Sequence, residues 1–416
     1  MKKCYLLIIC AATVQNGLCG YAPVNLLYPQ DTVLKPRKWS DQRLHISHSV
    51  LFGVSDAQGW NGNGDKVSAT QVWTADQNAL AMVTGFDQGT EQANIAQECN
   101  AVDGDDGVRG HFDVTGDFNI PFSYQFGARY YIKNAFWVGA FIPVYKMQFK
   151  NVAWTDHTLN ITADDVLTKA RITTDFFANV SRLGDGLNLQ EWEKTGFGDV
   201  VLMAGWHEHF RQYKEWIKDV ATNVRVGISL PTGVQKDEDK VMFMPFGNDG
   251  SVAILAGMGL TINYVNRFNA GVDLEFLHVF NNTRKRRIKV DADQTEFLLL
   301  TKTDVQKDPG FSHRFMLFCD AKLVKGLSAR VAYHHRKRSA DTLYVLSYDY
   351  SSTIANTAES LKEWTTHNAL FQLTWDMADE EKNKNKPQFT AFYMHPFNGR
   401  RSVQSAQAGC GFSLSF

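Results

Sequence analysis

The sequence predicts an all-β protein: a transmembrane antiparallel up-and-down β-barrel of about twelve strands with long external loops. Three observations predict it. Apolar and polar residues alternate over many segments, the connections between these segments are alternately long and short, and the last segment ends in Phe416. Successive strand side chains point to opposite faces. Only helices and closed barrels satisfy their backbone hydrogen bonds in lipid, and no stretch of 18 apolar residues follows residue 20.

The composition excludes several classes of protein. The 416 residues carry 43 Lys and Arg against 44 Asp and Glu, for a formal net charge of −1, so a general basic field for nucleic acid is excluded. Aromatic residues make up 12% of the chain, which excludes a disordered protein. No nucleic-acid partner is expected.

The first twenty residues have the three parts of a secretory signal peptide. Lys2 and Lys3 precede an apolar run from Tyr5 to Val14, and small or polar residues follow up to Gly20. We therefore predict a signal peptide over 1–20, a single barrel domain over 21–416, and a location in the bacterial outer membrane. Three cysteines remain after export, which leaves their pairing open: Cys99, Cys319 and Cys410.

The predicted strands follow one another at regular intervals along the chain. They are 44–56, 112–131, 135–149, 198–210, 223–230, 251–264, 269–281, 314–323, 327–336, 369–376, 387–396 and 408–416. In 112–131 every second residue, from Phe112 to Tyr130, is apolar or glycine. These side chains share one face of the strand, and we expect this whole face to contact lipid.

The connections favour a barrel over a β-sandwich, which has no reason to alternate them. Long connections are predicted at 57–110, 150–197, 231–250, 282–311 and 337–366, with short turns between them and one short final hairpin at 397–402. Segments 57–110 and 150–197 are large enough to fold inward as a plug or constriction, or to cover the mouth from outside.

The polar parity of the strands would face the lumen, since an Arg or Lys on the lipid face costs about 2–4 kcal/mol at the midplane. The candidate lumen-lining residues are Asp113, Asp117, Arg129, Arg225, Asp273, Glu275, Arg314, Asp320, Arg330 and Asp376. Both signs of charge occur, so the residues form either a structural salt-bridge network or a lining that selects solutes.

Three other groups of residues allow either a functional or a purely structural interpretation: two histidines, a histidine–serine pair and two charged loop segments. His207 and His209 share a strand face, but no third ligand lies at a linked spacing, so neither a metal site nor a cofactor is predicted. His45 and Ser47 also share a face, as in outer-membrane phospholipases. The basic run 284–287 and the acidic run 237–239 fall in external loops, where the basic run is either solvated or meets lipopolysaccharide.

The C-terminal strand is similar to the one that the assembly machinery of bacterial outer-membrane barrels recognises. Phe412, Leu414 and Phe416 alternate there with small or polar residues, and Phe416 is the last residue. We predict that these three residues form the membrane-assembly signal.

Two short motifs stand out, Gly-Phe-Gly-Asp at 196–199 and Leu-Pro-Thr-Gly at 230–233. They resemble the motifs of a known outer-membrane family, the transporter-like family associated with phenol meta-cleavage pathways. The resemblance implies a β-barrel that passes small hydrophobic molecules. It also implies a strand-to-loop exit at 231–233 and a lumen or rim position for Asp199.

We therefore expect a non-enzymatic outer-membrane channel that passes small solutes, including hydrophobic or aromatic ones, through a polar lumen. The alternatives are a surface adhesin or structural barrel that works through its long loops, and an outer-membrane lipid hydrolase. The expected partners are outer-membrane lipids, lipopolysaccharide, the barrel-assembly machinery and an unidentified small solute.

Overall fold

Twelve long antiparallel strands form the body of the protein, a computed structural model that describes residues 20–21, 43–101, 107–132, 135–265, 267–377 and 387–416. The predicted signal peptide lies outside the described residues apart from Gly20. The strands are β1 (Leu44–Gly53), β2 (His111–Tyr131), β3 (Phe136–Asp156), β4 (Val200–Arg211), β5 (Ile217–Leu230), β6 (Ala253–Tyr264), β7 (Phe268–Val279), β8 (Ser312–Val324), β9 (Leu327–Arg338), β10 (Trp364–Asp376), β11 (Gln388–Arg400) and β12 (Gln407–Ser415). In the described parts of the chain, no helix is long and apolar enough to cross a membrane.

Each strand pairs with the strands before and after it, and β1 closes the barrel by pairing with both β2 and β12. A closed sheet has no edge strand, so its ladders continue around the whole wall and leave no open row of backbone groups. Short connections join the strands at one end of the barrel, here called the turn end. The connections at the other end, the loop end, are long except for the six residues 401–406 between β11 and β12. The predicted closed barrel of twelve strands is confirmed.

The outer face of the barrel is apolar. Val226 is 54% exposed, Leu317 53% and Phe371 49%, although all three lie in the middle of their strands. Exposed aromatic residues flank this surface near the two ends of the strands, as membrane girdles do: Tyr130, Trp216, Tyr264 and Trp375 near the turn end, and Phe280, Phe311 and Phe397 near the loop end. Such a continuous apolar surface is typical of a barrel that faces lipid.

A β-bulge in β2 reverses which side chains face inward. The register passes from Asn119 opposite Gln148 to Phe122 opposite Lys146, so Ile120 and Pro121 together face one residue of β3. Proline has no N–H to donate to the ladder and is accepted at such a bulge. The side chains of the even-numbered residues of β2 therefore point inward above the bulge and outward below it.

The expectation that one parity of 112–131 faces lipid throughout is thus wrong above the bulge. Phe112, Val114, Phe118 and Ile120 are each at most 3% exposed and lie in an apolar core. This upper part of β2 and β3 extends beyond the other strands. Its outer face is polar and its inner face apolar, as in a soluble sheet.

The long connections fold together over the loop end into a compact layer, here called the cap. Its helices are α1 (Glu91–Glu98), α2 (Ala163–Thr168), α3 (Phe176–Leu183) and α4 (Ser352–Ala355), with a π-helix at Lys169–Thr173 and 3-10 turns at Ala69–Gln71, Ala81–Val83 and Glu359–Leu361. Its short strands are Gly20–Tyr21, Gln58–Trp60, Lys66–Ser68, Gln77–Asn78, Trp192–Phe197, Asn282–Arg287, Lys302–Asp308, Thr342–Val345 and Ser402–Gln404. Strand β3 runs further into the predicted loop 150–197 than expected, to Asp156.

One apolar core joins the cap to the tall β2–β3 hairpin. The Phe112 ring of β2 stacks on the Phe176 ring of α3 with 4.0 Å between centroids. Side chains at the inner rim of the barrel, such as Ala253 and Ser312 (both 0% exposed), are buried beneath the cap. The cap therefore covers the loop-end mouth of the barrel.

Candidate functional site

The lumen contains a cavity of about 310 Å³ in its turn-end half. Side chains from the inward parities of β2 to β9 line it, and it extends to Lys322, which is exposed at the turn end. The lining holds five basic and four acidic side chains, so the charges nearly cancel: Arg129, Arg225, Arg314, Lys322 and Arg330 against Asp219, Asp273, Glu275 and Asp320. The predicted residues Arg129, Arg225, Asp273, Glu275, Arg314, Asp320 and Arg330 all lie here.

Four of these residues form one buried ion-pair network, here called the lumen quartet: Arg225, Asp273, Glu275 and Arg314. The Arg225 guanidinium donates to both Asp273 oxygens at 2.6 and 2.7 Å, and to Glu275 Oε2 at 2.9 Å. Arg314 donates to Asp273 at 3.2 Å and to Glu275 at 3.1 Å. Two cations and two carboxylates thus compensate one another, which buried charges require.

Two inward glycines of β6 make room for this network. A Cβ atom on Gly257 would lie 2.7 Å from Arg225 Cζ, and one on Gly259 would lie 2.3 Å from Asn223 Nδ2. The sequence analysis did not identify either glycine. The signal that could have found them is a small residue on the inward face of a strand, next to a predicted lumenal arginine.

The other lumenal arginines lie against aromatic rings. Arg330 donates to Asp320 at 2.6 Å, and its Cζ is 4.3 Å from the centroid of the Phe318 ring. Arg129 Cζ is 4.8 Å from the Trp137 ring centroid. These cation–π contacts hold both guanidinium groups against the wall. Sequence reasoning missed the two rings, which occupy the inward parity of their strands.

Two histidines complete the turn-end part of the cavity. His209 Nδ1 lies 2.6 Å from Asp219 Oδ2, and the His207 and His209 ring centroids are 4.6 Å apart. Over the described residues, no group of three or more His, Cys, Asp or Glu side chains is placed to hold a metal ion. The thiols of Cys99, Cys319 and Cys410 are free.

The remaining predicted residues lie outside the cavity. Asp113 and Asp117 are on the outer face of the hairpin, above the bulge, where they contact His157 at 2.9 Å and Asn151 at 2.7 Å. This corrects their predicted lumenal placement, because the bulge puts their parity outside. Asp376 is half-buried near the end of β10, at the turn end.

Asp199 joins the two motifs that carry the family resemblance. Its carboxylate accepts hydrogen bonds from the Gly233 N–H at 2.9 Å and the Asn248 N–H at 2.6 Å. Thr232 Oγ1 accepts from the Val200 N–H at 2.9 Å. The motifs thus fasten the start of β4 to the loop after β5, and Asp199 is a rim residue with a structural role.

The histidine and serine of the hydrolase hypothesis have different partners. His45 Nδ1 lies 3.1 Å from Ser415 Oγ, whereas Ser47 Oγ donates to the Gly127 carbonyl at 3.4 Å. His45 and Ser415 are 8% and 7% exposed and point inward, away from the apolar outer face.

The basic and acidic loop runs are partners in the cap. Arg287, 9% exposed, lies 2.5 Å from Asp239 and donates to the carbonyls of Gly184, Leu299 and Leu300. Asp249 lies 2.5 Å from both Arg284 and Arg286. The run 284–287 is therefore not the solvated loop expected in one of its two interpretations, because two of its three arginines, Arg286 and Arg287, are buried and bind three loops together.

The cap should loosen in acid through Asp249. Burial acts to raise the pKa of this carboxyl, but Arg286 and Arg284 outweigh it and hold the pKa below its ordinary value. The resulting stabilisation is complete above the unfolded pKa of about 4 and is lost as the pH falls through the lower folded pKa. We expect proteolysis of the cap loops to accelerate sharply only below about pH 4.

The variant Asp249→Asn tests this at neutral pH, where it should lower the stability of the cap by about 3 kcal/mol. Asp237→Asn is the matched control, since the Asp237 carboxylate is half-exposed, bridges to Lys240 and accepts one hydrogen bond from the Asp239 N–H, which an Asn oxygen can also accept. Equal protease sensitivity of the two variants would contradict the prediction.

Comparisons with known proteins find similar folds at low identity. An outer-membrane channel from Pseudomonas putida F1 is 10% identical, with a TM-score of 0.48 over 94% of this chain and 100% of that one. The Pseudomonas putida toluene transporter TodX is 7% identical, with a TM-score of 0.37 over 95% and 96%. The β-domain of the Bordetella autotransporter BrkA is also 7% identical, with a TM-score of 0.35 over 90% and 100%. No protein-family model and no curated protein sequence matches the chain.

Proposed function

We propose that this protein spans a bacterial outer membrane and passes small, largely uncharged molecules through its lumen, one at a time. The lumen cavity carries the proposal, because it lies inside a closed barrel whose outer face is apolar and it opens toward the turn end. A volume of about 310 Å³ holds one small molecule and is too small for a wide aqueous pore.

The chemistry of the lining favours uncharged solutes. The acidic groups of the quartet are neutralised by arginines, so little net charge remains to attract ions. Trp137, Phe318, Met203 and Met316 supply apolar surface to the same cavity. Such a mixture of apolar walls with a few fixed polar groups is typical of small-molecule sites.

We also propose the interactions that place the barrel in its membrane. Outer-membrane lipids would contact the apolar outer face, and the assembly machinery would recognise the last strand. Phe412, Leu414 and Phe416 support this, because all three lie on the outward parity of the chain end and Phe416 is 47% exposed.

Planar-bilayer recording tests the channel. The full chain should give small discrete conductance steps, and Ala221→Trp should reduce them about fivefold or more, since Ala221 lines the cavity. Val220→Trp is the matched control, because Val220 is the next residue of β5 on the opposite, outward parity. Absence of steps, or equal effects of the two variants, would refute passage through this cavity.

A further inference from the structure

A second cavity, of about 150 Å³, lies within the cap, away from the lumen. The loop after β5, the connection between β7 and β8, and the segment around α4 line it. One wall is apolar and includes Trp73, Phe243, Phe297 and Leu343, and the other is basic and includes Arg286 and Lys289. We refer to it as the cap pocket.

Lys289 is a buried cation that has no acidic partner among the described residues. It is 8% exposed, and within the described residues its Nζ makes a single hydrogen bond, to the Ala292 carbonyl at 3.0 Å. Its cationic neighbours in the pocket are compensated: Arg287 by Asp239 at 2.5 Å and Lys307 by Asp341 at 2.6 Å. A buried ammonium normally has a counter-charge, so Lys289 lacks one that a ligand could supply.

The acids that line the pocket have partners other than Lys289, and Arg286 of the same pocket is one of these partners. Asp249 is bound by Arg284 and Arg286, and Glu238 lies 3.0 Å from Lys236. Glu296 accepts a hydrogen bond from the Ser360 N–H at 3.3 Å. No described carboxylate therefore forms an ion pair with Lys289.

Two further donors of the pocket are unused. Arg286 is 5% exposed, and within the described part of the chain its Nε, like the indole Nε1 of Trp73, is buried without a hydrogen-bond partner. Both residues line the cap pocket together with Lys289, whose ammonium keeps unused hydrogens. Unsatisfied buried donors are costly, and a carboxylate, with two acceptor oxygens and a negative charge, satisfies several at once.

The size and the apolar wall define the rest of the ligand. A cavity of about 150 Å³ lined by apolar side chains is known to hold one benzene molecule. Phe297 meets the Trp73 ring edge-on with centroids 6.1 Å apart, so the apolar wall is aromatic. We propose that the cap pocket binds a small monoanion with a single ring and one carboxylate, which sets its charge against Lys289 and its ring against Trp73 and Phe297.

Calorimetry on the full chain in detergent at neutral pH tests the proposal, with benzoate as the probe. Benzamide keeps the ring without the charge, and acetate and inorganic phosphate keep a negative charge without the ring. Benzoate should bind about tenfold or more tightly than any of the three, because the site needs both parts of the ligand. Equal binding of benzamide, or equal binding of acetate or phosphate, would overturn it.

Variants locate the site. Lys289→Met should weaken benzoate binding about tenfold or more, whereas Lys289→Arg keeps the charge and should retain it. Lys285→Met is the matched control, because Lys285 is exposed on the short strand Asn282–Arg287, which ends two residues before Lys289, and it should leave binding unchanged. Unchanged binding in Lys289→Met would refute the proposal.

Two further variants serve as checks: one tests the pocket if Lys289→Met does not fold, and the other tests whether benzoate binds in the lumen instead. If Lys289→Met fails to fold, Trp73→Phe removes one donor and keeps a ring, and it should weaken benzoate binding severalfold; unchanged affinity would count against the site. Ala221→Trp fills the lumen cavity and should leave benzoate binding intact. Loss of binding in Ala221→Trp would move the ligand to the lumen and overturn the assignment. Because these binding measurements do not depend on conductance, they can refute the cap-pocket proposal without affecting the channel proposal, and the conductance measurements can do the reverse.

Discussion

Deletion of Pro121 is expected to disrupt the cap while the lower barrel still closes. The deletion removes the extra residue of the β2 bulge, and a shift of one residue turns every side chain on that stretch to the other face. Phe112, Val114, Phe118 and Ile120 would point to water, and Asp113 would enter the apolar core. Loss of burial for four large apolar side chains costs about 1.5–3 kcal/mol each, or about 6–12 kcal/mol in total.

The matched control is Pro121→Ala, which keeps the residue count and hence the bulge. It should change the stability of the cap by less than about 1 kcal/mol, because only the ring of a half-buried side chain is lost. Limited proteolysis of the cap loops in detergent measures both variants, with heat-dependent gel mobility as the test of barrel closure. If the deletion variant resists protease as well as the parent chain, the bulge does not set the faces of β2.

The strands of the barrel could be predicted because one physical rule holds along each of them below the cap. Lipid outside and water or paired charges inside force a strict alternation, as Val224 and Val226 show on either side of Arg225. Lumenal placement of Arg225, Asp273, Glu275 and Arg314 follows from the same rule. Neighbouring strands in an up-and-down barrel are also neighbours in sequence, so the strand order needed no further information.

The faces of the upper hairpin could not be predicted from alternation alone. An apolar row points outward in lipid and inward above the membrane, and the pattern of 112–120 is the same in both cases. The signal that marks the change is local: Ile120, Pro121 and Phe122 interrupt the alternation, and the middle residue cannot donate a ladder hydrogen bond.

The cap depends on contacts between residues far apart in sequence. Arg287 and Asp239 are 48 residues apart, and nothing in either charged run indicates that the two runs meet. Each run alone has the composition of a solvated loop. Only the fold shows that Arg287 donates hydrogen bonds to the backbone of three loops, and that Lys289 has no acidic partner in the described segments.

Replacement of Arg225 by Leu should have the largest effect of any single substitution in the lumen. It leaves Asp273 and Glu275, each with a side chain 8% exposed, to share Arg314 alone. Removal of one partner from a buried ion pair costs about 3–5 kcal/mol, because an uncompensated charge remains. The quartet is then left with one arginine against two carboxylates, so any remaining conductance should shift toward cation selectivity at this point of the lumen.

Unfolding in urea and the reversal potential in a salt gradient measure the two effects. Arg211→Leu is the matched control, because Arg211 is exposed at the turn end of the neighbouring strand and should have little influence on either. Adding Glu275→Gln to Arg225→Leu leaves one cation with one carboxylate, Arg314 with Asp273. This double variant should recover much of the stability and lose the cation preference, since the quartet stabilises the lumen by balancing its charges rather than through Arg225 as such. A double variant less stable than Arg225→Leu alone would show that the four groups do not act as one compensated network.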